Sequence, residues 1–293
     1  MDNHLAAVSA AITDDTLSAM IAHPDFPKAL RISAAGAVEH YASTPHMRRY
    51  TRDRGSYLVA LAALYLHFSP DGLTASRLKA LCSTNGICSE GRVAAILAYM
   101  RGRGHLISTT REDDRRVRLL APGRQLLEFT RGRIRVEIAA LAALSPENAY
   151  LLPAYDSSDM FIGYLRESGP LMIAGMGQAS DAHTVTLNHF AERDVGLLML
   201  YDLMKNPAAL RSEPFKVSVS AVSRQLSVSR IHILKLLDDT AALGLIAWDR
   251  GARTVTLSPR LVVAIENLFA LLFMLIGYYF HLLAAKAAAF QIV

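Results

Sequence analysis

Ser218-Val-Ser-Ala-Val-Ser-Arg-Gln-Leu226, Ser227-Val228 and Ser229-Arg-Ile-His-Ile-Leu-Lys-Leu-Leu237 is the stretch whose reading decides the fold. The first nine residues alternate as a short amphipathic helix, Ser227-Val228 makes a turn, and Ser229 is a natural N-cap whose hydroxyl accepts from an orphan amide of the next helix. Ile233, Leu236 and Leu237 recur at helical spacing and face a core, which leaves Arg230, His232 and Lys235 on the opposite side. Gly244 supplies the left-handed residue that closes the helix. Leu245 to Trp248 then has strand composition, Asp249 to Arg253 a turn, Thr254 to Leu257 a second strand, and Ser258-Pro259 opens another helix.

Helix, turn, helix and hairpin in this order spell a winged helix, and the chain writes it twice. Thr74-Ala-Ser-Arg-Leu-Lys-Ala-Leu81 and Ser89-Glu-Gly-Arg-Val-Ala-Ala-Ile-Leu-Ala-Tyr-Met100 repeat the helix pair. Ser89 to Gly104 and Ser229 to Gly244 both span 15 residues, so the second helices match at an offset of 140, and Val93, Ile96 and Leu97 fall on Ile233, Leu236 and Leu237. After Gly104 come the strand His105-Leu-Ile107, the hairpin Ser108 to Leu120, longer and more basic than its counterpart, and the helix start Ala121-Pro122-Gly123.

These residues carry a resemblance. Ser89 to Ile107, with Asp114-Arg115-Arg116 followed by Arg118-Leu119-Leu120-Ala121-Pro122-Gly123, resembles the wing signature of the multiple-antibiotic-resistance regulator family of transcription factors. The second copy resembles it over Val222 to Ile246 and lacks the Asp-Arg-Arg wing. Members of that family are homodimers of short chains, so two copies in one chain imply a fused pseudodimer, the two similar regions covering roughly residues 57–135 and 190–293. The expected fold is mainly α with small β wings: two winged-helix domains related by a pseudo-two-fold and joined by long interface helices. The expected division is a first domain at 1–144, an acidic connector packed on the body at 145–180, and a second domain at 181–293 ending in a long apolar helix.

Charge is distributed to suit. The 293 residues sum to only +5, but residues 48–135 carry net +10 and 211–260 net +4, against −6 for 136–210 and −3 for the first 47. Two arginine-rich islands are the footprint of phosphate contact, whereas a solvated face mixes both signs. Hydrophobic residues at 52% and charged residues at 19% exclude a mainly disordered chain, and two cysteines exclude a disulfide scaffold. The N-terminus shows no signal peptide, and a cytoplasmic location is expected.

Double-stranded DNA is the expected partner. Side chains near the start of a recognition helix reach base edges while wing arginines track phosphates or enter the minor groove. In the first copy these are Ser89 and Arg92, with Arg111, Arg115, Arg116 and Arg118 on the wing, Asp114 orienting an arginine rather than touching DNA. In the second they are Ser229, Arg230, His232 and Lys235, with Arg250 and Arg253. Because Glu90, Gly91 and Arg92 replace Arg230, Ile231 and His232, the two half-sites should differ. The alternative for a winged helix is a protein-interaction module.

Several features carry less. Cys82 and Cys88 flank the first turn and permit a redox switch, but no activating neighbour is evident, so small buried thiols are the better reading. His183 and His189 are six apart, off the spacing of metal ligands on a helix. Gly175-Met-Gly177 lacks the rest of a nucleotide motif and reads as a buried connection between the halves. No nucleophile elbow, zinc-protease motif or plausible carboxylate pair appears, so no enzyme, cofactor or metal is expected.

Residues 145–180 are broken by Ser145-Pro146, Pro153 and Ser168-Gly-Pro170, yet Tyr150, Leu151, Met160, Phe161, Ile162 and Tyr164 are too apolar for a free linker. Residues 268–285 contain no charged side chain over 18 positions. As a helix that run is about 27 Å long, marginally enough for a bilayer. A tail anchor and a central helix buried between two halves compete. Gly277, His281 and the missing basic flank favour burial. If the helices enclose a cavity, a small aromatic effector would meet Tyr278, Tyr279, Phe280 and His281, although core packing explains the same residues. Both a monomeric pseudodimer and a homodimer fit.

Overall fold

The computed structural model describes residues 2–110, 118–157, 159–178 and 182–290, with only the backbone described for 2–6, 157, 174–178, 182, 184 and 288–290. In chain order come α1 (Asp2–Ala11), α2 (Asp14–Ile21), α3 (Phe26–Ser43), α4 (Arg48–Thr51), α5 (Arg54–His67), α6 (Ala75–Thr84), α7 (Glu90–Gly102), β1 (Leu106–Thr110), β2 (Arg118–Pro122) and α8 (Arg124–Leu144). Then follow α9 (Leu151–Ser157), α10 (Met160–Gln178), α11 (Ala182–Ala191), α12 (Gly196–Met204), β3 (Phe215–Lys216), α13 (Val219–Leu226), α14 (Arg230–Ala242), β4 (Ile246–Asp249), β5 (Thr254–Leu257) and α15 (Pro259–Phe290). The molecule is mainly helical with two small antiparallel sheets, in agreement with the expected class.

Both helix–turn–helix units form where expected, and their local chemistry matches. Ser89 Oγ accepts from the Arg92 amide at 3.4 Å and Ser229 Oγ from the His232 amide at 3.1 Å. Gly104 and Gly244 close α7 and α14 at φ +70° and +65°, conformations that cost a residue with a Cβ. The amides of His105 and Leu245 bond back to the Met100 and Thr240 carbonyls at 2.9 and 3.2 Å, the same cap made twice. Val93, Ile96 and Leu97, like Ile233, Leu236 and Leu237, are buried.

Each hairpin also gains a third element. β3 pairs with β5, giving the order β3-β5-β4. In the first unit Leu73 forms a single bridge to Leu120, and the Leu120 amide donates to the Leu73 carbonyl at 2.8 Å. Gly123 joins hairpin to α8. Its amide donates to the His105 carbonyl at 2.8 Å, as Ser258 donates to Leu245 at 3.0 Å, and a Cβ at Gly123 would overlap the Gly104 carbonyl oxygen, which is backbone and cannot swing away. Gly123→Ala should therefore destabilise the chain by about 1–3 kcal/mol, the usual cost of overpacking. A denaturant midpoint equal to that of the unaltered chain would count against this packing.

The remaining helices build the body. Acidic Asp14 and Asp15 and a reciprocal Thr13–Thr16 capping box start α2. α3 lies along α8 and reaches across to α12 and α13, while α2, α8, α10 and α11 surround α15. Residues 145–180 hold α9 and α10. Gly169 and Pro170 lie inside α10 rather than breaking it, and a Cβ at Gly169 would overlap the Tyr65 ring of α5, so glycine there lets two helices approach. Ser168 Oγ turns back to the Tyr164 carbonyl at 2.6 Å. Gly175 and Gly177 are in the last turn of the same helix.

α15 is long and apolar enough to cross a membrane over Pro259–Ala287, and 50% of its most apolar stretch is buried inside the fold. Its inward face carries Ile265, Phe269, Phe273, Ile276, Tyr279 and Phe280. Phe273 meets Phe26 edge-on at 6.1 Å, and Phe280 stacks on Tyr164 at 5.0 Å. That half-burial fits a soluble chain in which the helix serves as core.

Four histidines titrate below their ordinary value. Burial lowers His40, His67, His105 and His189, and charge adds to the effect at His40 through Arg133, at His105 through His46 and Arg103, and at His189 through Arg193. A folded pKa below the unfolded one means that the unfolded chain takes up more protons, so stability is full above about pH 6.5 and is lost as pH falls through the folded values. The denaturant midpoint should fall from about pH 7.5 to 5.5, and His105→Gln should flatten the fall. A midpoint that rises on acidification contradicts this assignment.

Candidate nucleic-acid interface

The outward face of α14 is built from its first turn. Ser229 caps the helix, Arg230 and Lys235 are exposed, and Ile231 is 78% exposed between them. His232 departs from the expected free face. It is partly buried, and its imidazole Nε2 donates to the Asp194 carbonyl at 3.0 Å, so it fastens the helix instead of projecting from it. Arg250 on the β4–β5 turn is held by both carboxylate oxygens of Asp238 in α14. Arg253 is exposed at the end of that turn with φ 55°, and its carbonyl accepts from Val217 at 2.9 Å.

The first unit presents a thinner face. Ser89, Glu90, Gly91 and Arg92 are exposed at the start of α7, followed outward by Ala95, Ala98 and Arg101. Arg92 Nη2 donates to Asp53 Oδ1 at 2.6 Å, so its charge is already partnered. Arg118 is exposed in β2 opposite Thr110. Arg111, Asp114, Arg115 and Arg116 lie outside the described residues. A shallow groove of 590 Å³ runs between α7 and β1, lined by Ala98, Arg101, Gly104, Leu106, Ile107 and Ser108.

The two units meet at one junction. The Val195 amide donates to the Arg52 carbonyl at 2.8 Å, and the Arg52 guanidinium forks onto the Asp194 carboxylate. Asp53, next in the chain, caps α5 by accepting from the Ser56 amide at 2.9 Å and also takes Arg92. Asp194 holds His232 through its carbonyl. The first turns of α7 and α14 are thus tied to adjacent residues of the two halves. Val195 is buried with φ 53°, a conformation that costs a β-branched residue of order 1–3 kcal/mol and persists only where surroundings impose it.

Asp53, Asp194 and Asp238 are the functional neighbours that sequence reasoning missed. They sit 39, 38 and 12 positions from the basic residues they engage, beyond any helical or hairpin spacing.

The expected effector residues are packed. Tyr279 is buried with its ring edge-on to Tyr164 at 6.1 Å, Tyr278 contacts Tyr279 at 5.4 Å, and His281 bonds to the Tyr150 hydroxyl at 2.7 Å and to Asn148 at 3.2 Å. A second depression, of 270 Å³, lies elsewhere, between α8 and α10 near Phe68, Arg131 and Phe161. Burial pushes the Cys82 thiol up to about 12 and raises Cys88 as well, so neither is an activated thiolate. His189 bonds to Thr240 Oγ1 at 3.0 Å, and among the described residues no group of three metal-ligating side chains converges.

Compared with known proteins, the chain matches no family model, no curated protein and no solved structure.

Proposed function

We propose that the chain is a sequence-specific, double-stranded DNA-binding transcriptional regulator, a single-chain pseudodimer of winged helices resembling the multiple-antibiotic-resistance regulators. α7 and α14 are its recognition helices and the two hairpins its wings. The observation that carries the reading is the doubled unit itself: an N-capped helix with a polar, outward first turn, a left-handed glycine cap and an antiparallel hairpin, made twice. One such helix is a common fold element, whereas two joined at a shared junction match the two half-sites of a duplex operator.

The half-sites are unequal in this reading. α14 offers Arg230, Ile231 and Lys235, while α7 offers Glu90, Gly91, a partnered Arg92 and a row of alanines. Arg111, Arg115, Arg116 and Arg118 on the longer wing supply phosphate contact for the first half. The setting is the cytoplasm, and regulation by a small aromatic molecule belongs to the proposal only if binding opens the packed rings around Tyr279. No catalytic step is part of it.

The test is selection of duplexes from a random-sequence pool by the full chain. Recovery of a two-part motif with dissimilar halves is expected. Recovery of no motif from a folded chain would reject the reading and favour a protein-interaction module, which the carboxylates partnering Arg92 and Arg250 would suit.

A further inference from the structure

Ile231 is the most exposed large hydrophobic side chain among the described residues, at 78%, and it stands in the first turn of α14. Its Cβ is branched, a weak liability in a helix, and its exposure gives folding nothing in return. Its surroundings are not an apolar patch. Arg230 precedes it, Ser229 caps the helix, and Lys235 lies one turn along on the same face. A protein partner's apolar surface would have to desolvate those two cations. A DNA major groove would not, because phosphates flank it and each thymine places one methyl group, its sole apolar feature, on the groove edge.

Resting on the DNA-binding reading above, we infer that Ile231 is a specificity-determining residue that reads the 5-methyl group of a thymine in the half-site bound by α14. The cations on either side hold the phosphates, and the isoleucine selects the base. At the matched position of α7 stands Gly91, where an added Cβ would meet no atom within 4 Å. The other half-site therefore lacks this contact for want of a side chain, not for want of room.

The experiment takes duplexes selected by the full chain and replaces each thymine in turn by deoxyuridine, which removes only the methyl group, with affinity read by fluorescence anisotropy. Binding should weaken about four-fold, the worth of one buried methyl-sized group, at one or two thymines confined to one half-site. Ile231→Ala should bind thymine and deoxyuridine duplexes alike, with an unchanged thermal melt. Gly91→Ile should create the same sensitivity in duplexes carrying thymine at the matching place of the other half. Selective binding indifferent to deoxyuridine everywhere, or an Ile231→Ala protein that keeps the penalty, overturns the inference while leaving the DNA-binding reading intact. Failure to select any duplex overturns both. Loss of a protein partner by Ile231→Ala with DNA affinity unchanged assigns the side chain to that partner instead.

Discussion

Arg133→Met is expected to lower the stability of the folded chain by about 3–5 kcal/mol, the cost of leaving a buried carboxylate without its partner. Arg133 and Glu137 lie one turn apart on α8, with side chains only 15% and 4% exposed, and they pair with each other. Ser33 of α3 donates its hydroxyl to the second Glu137 oxygen. Burial opposes the Arg133 charge, but Glu137 more than offsets it and holds the guanidinium protonated. Tyr57 of α5 and Tyr201 of α12 lie beside this pair, and burial pushes Tyr201 up to about 12. Helices from both halves thus surround one ion pair.

Replacing Arg133 by Met and Glu137 by Leu together should recover most of the loss, because two well-packed apolar residues desolvate no charge. Urea unfolding of the two single variants and the double variant reads the cycle. A single Arg133→Met variant as stable as the unaltered chain would show that the carboxylate finds water, and would remove the pair from the core.

The second large effect concerns binding. Arg230→Ala combined with Lys235→Ala should weaken affinity for a selected duplex by about 10–100-fold and reduce the salt slope by about 2, one unit for each phosphate no longer engaged. Arg92→Ala and Arg250→Ala should cost less, since Asp53 and Asp238 already partner those guanidinium groups. Asp238→Asn should raise affinity by releasing Arg250. Equal losses for all four basic residues would mean that the carboxylates let go on binding, and a double variant with unaltered affinity would take α14 out of the interface.

The helix–turn–helix units were legible because their signals are local. Ser89 and Ser229 as caps, Gly104 and Gly244 as closures, and three apolar positions per helix are read within 15 residues, and the backbone follows them. The hairpins followed from the alternation in 106–110 and 254–257, but the third elements did not. Leu73 and Phe215-Lys216 are too short to show any period.

Residues 145–180 were the harder case. Ser168-Gly-Pro170 has the composition of a break, yet the helix continues because Tyr65 fills the space where a Gly169 side chain would be, and Tyr164 and Phe161 gain burial on the same helix. That is tertiary packing overriding local preference, and no window of sequence contains it. The same holds for His232, which has the helical position of an outward residue and is turned to the Asp194 carbonyl by a neighbour 38 residues away.

Titration of the full chain onto a duplex it has selected, and onto the same duplex scrambled, at several salt concentrations is the most direct test of the central claim. The account predicts a linear fall of log affinity with log salt, about 0.9 units of slope per phosphate engaged, with the selected duplex preferred throughout. Absence of binding at low salt, or binding that does not distinguish the two duplexes, would contradict it.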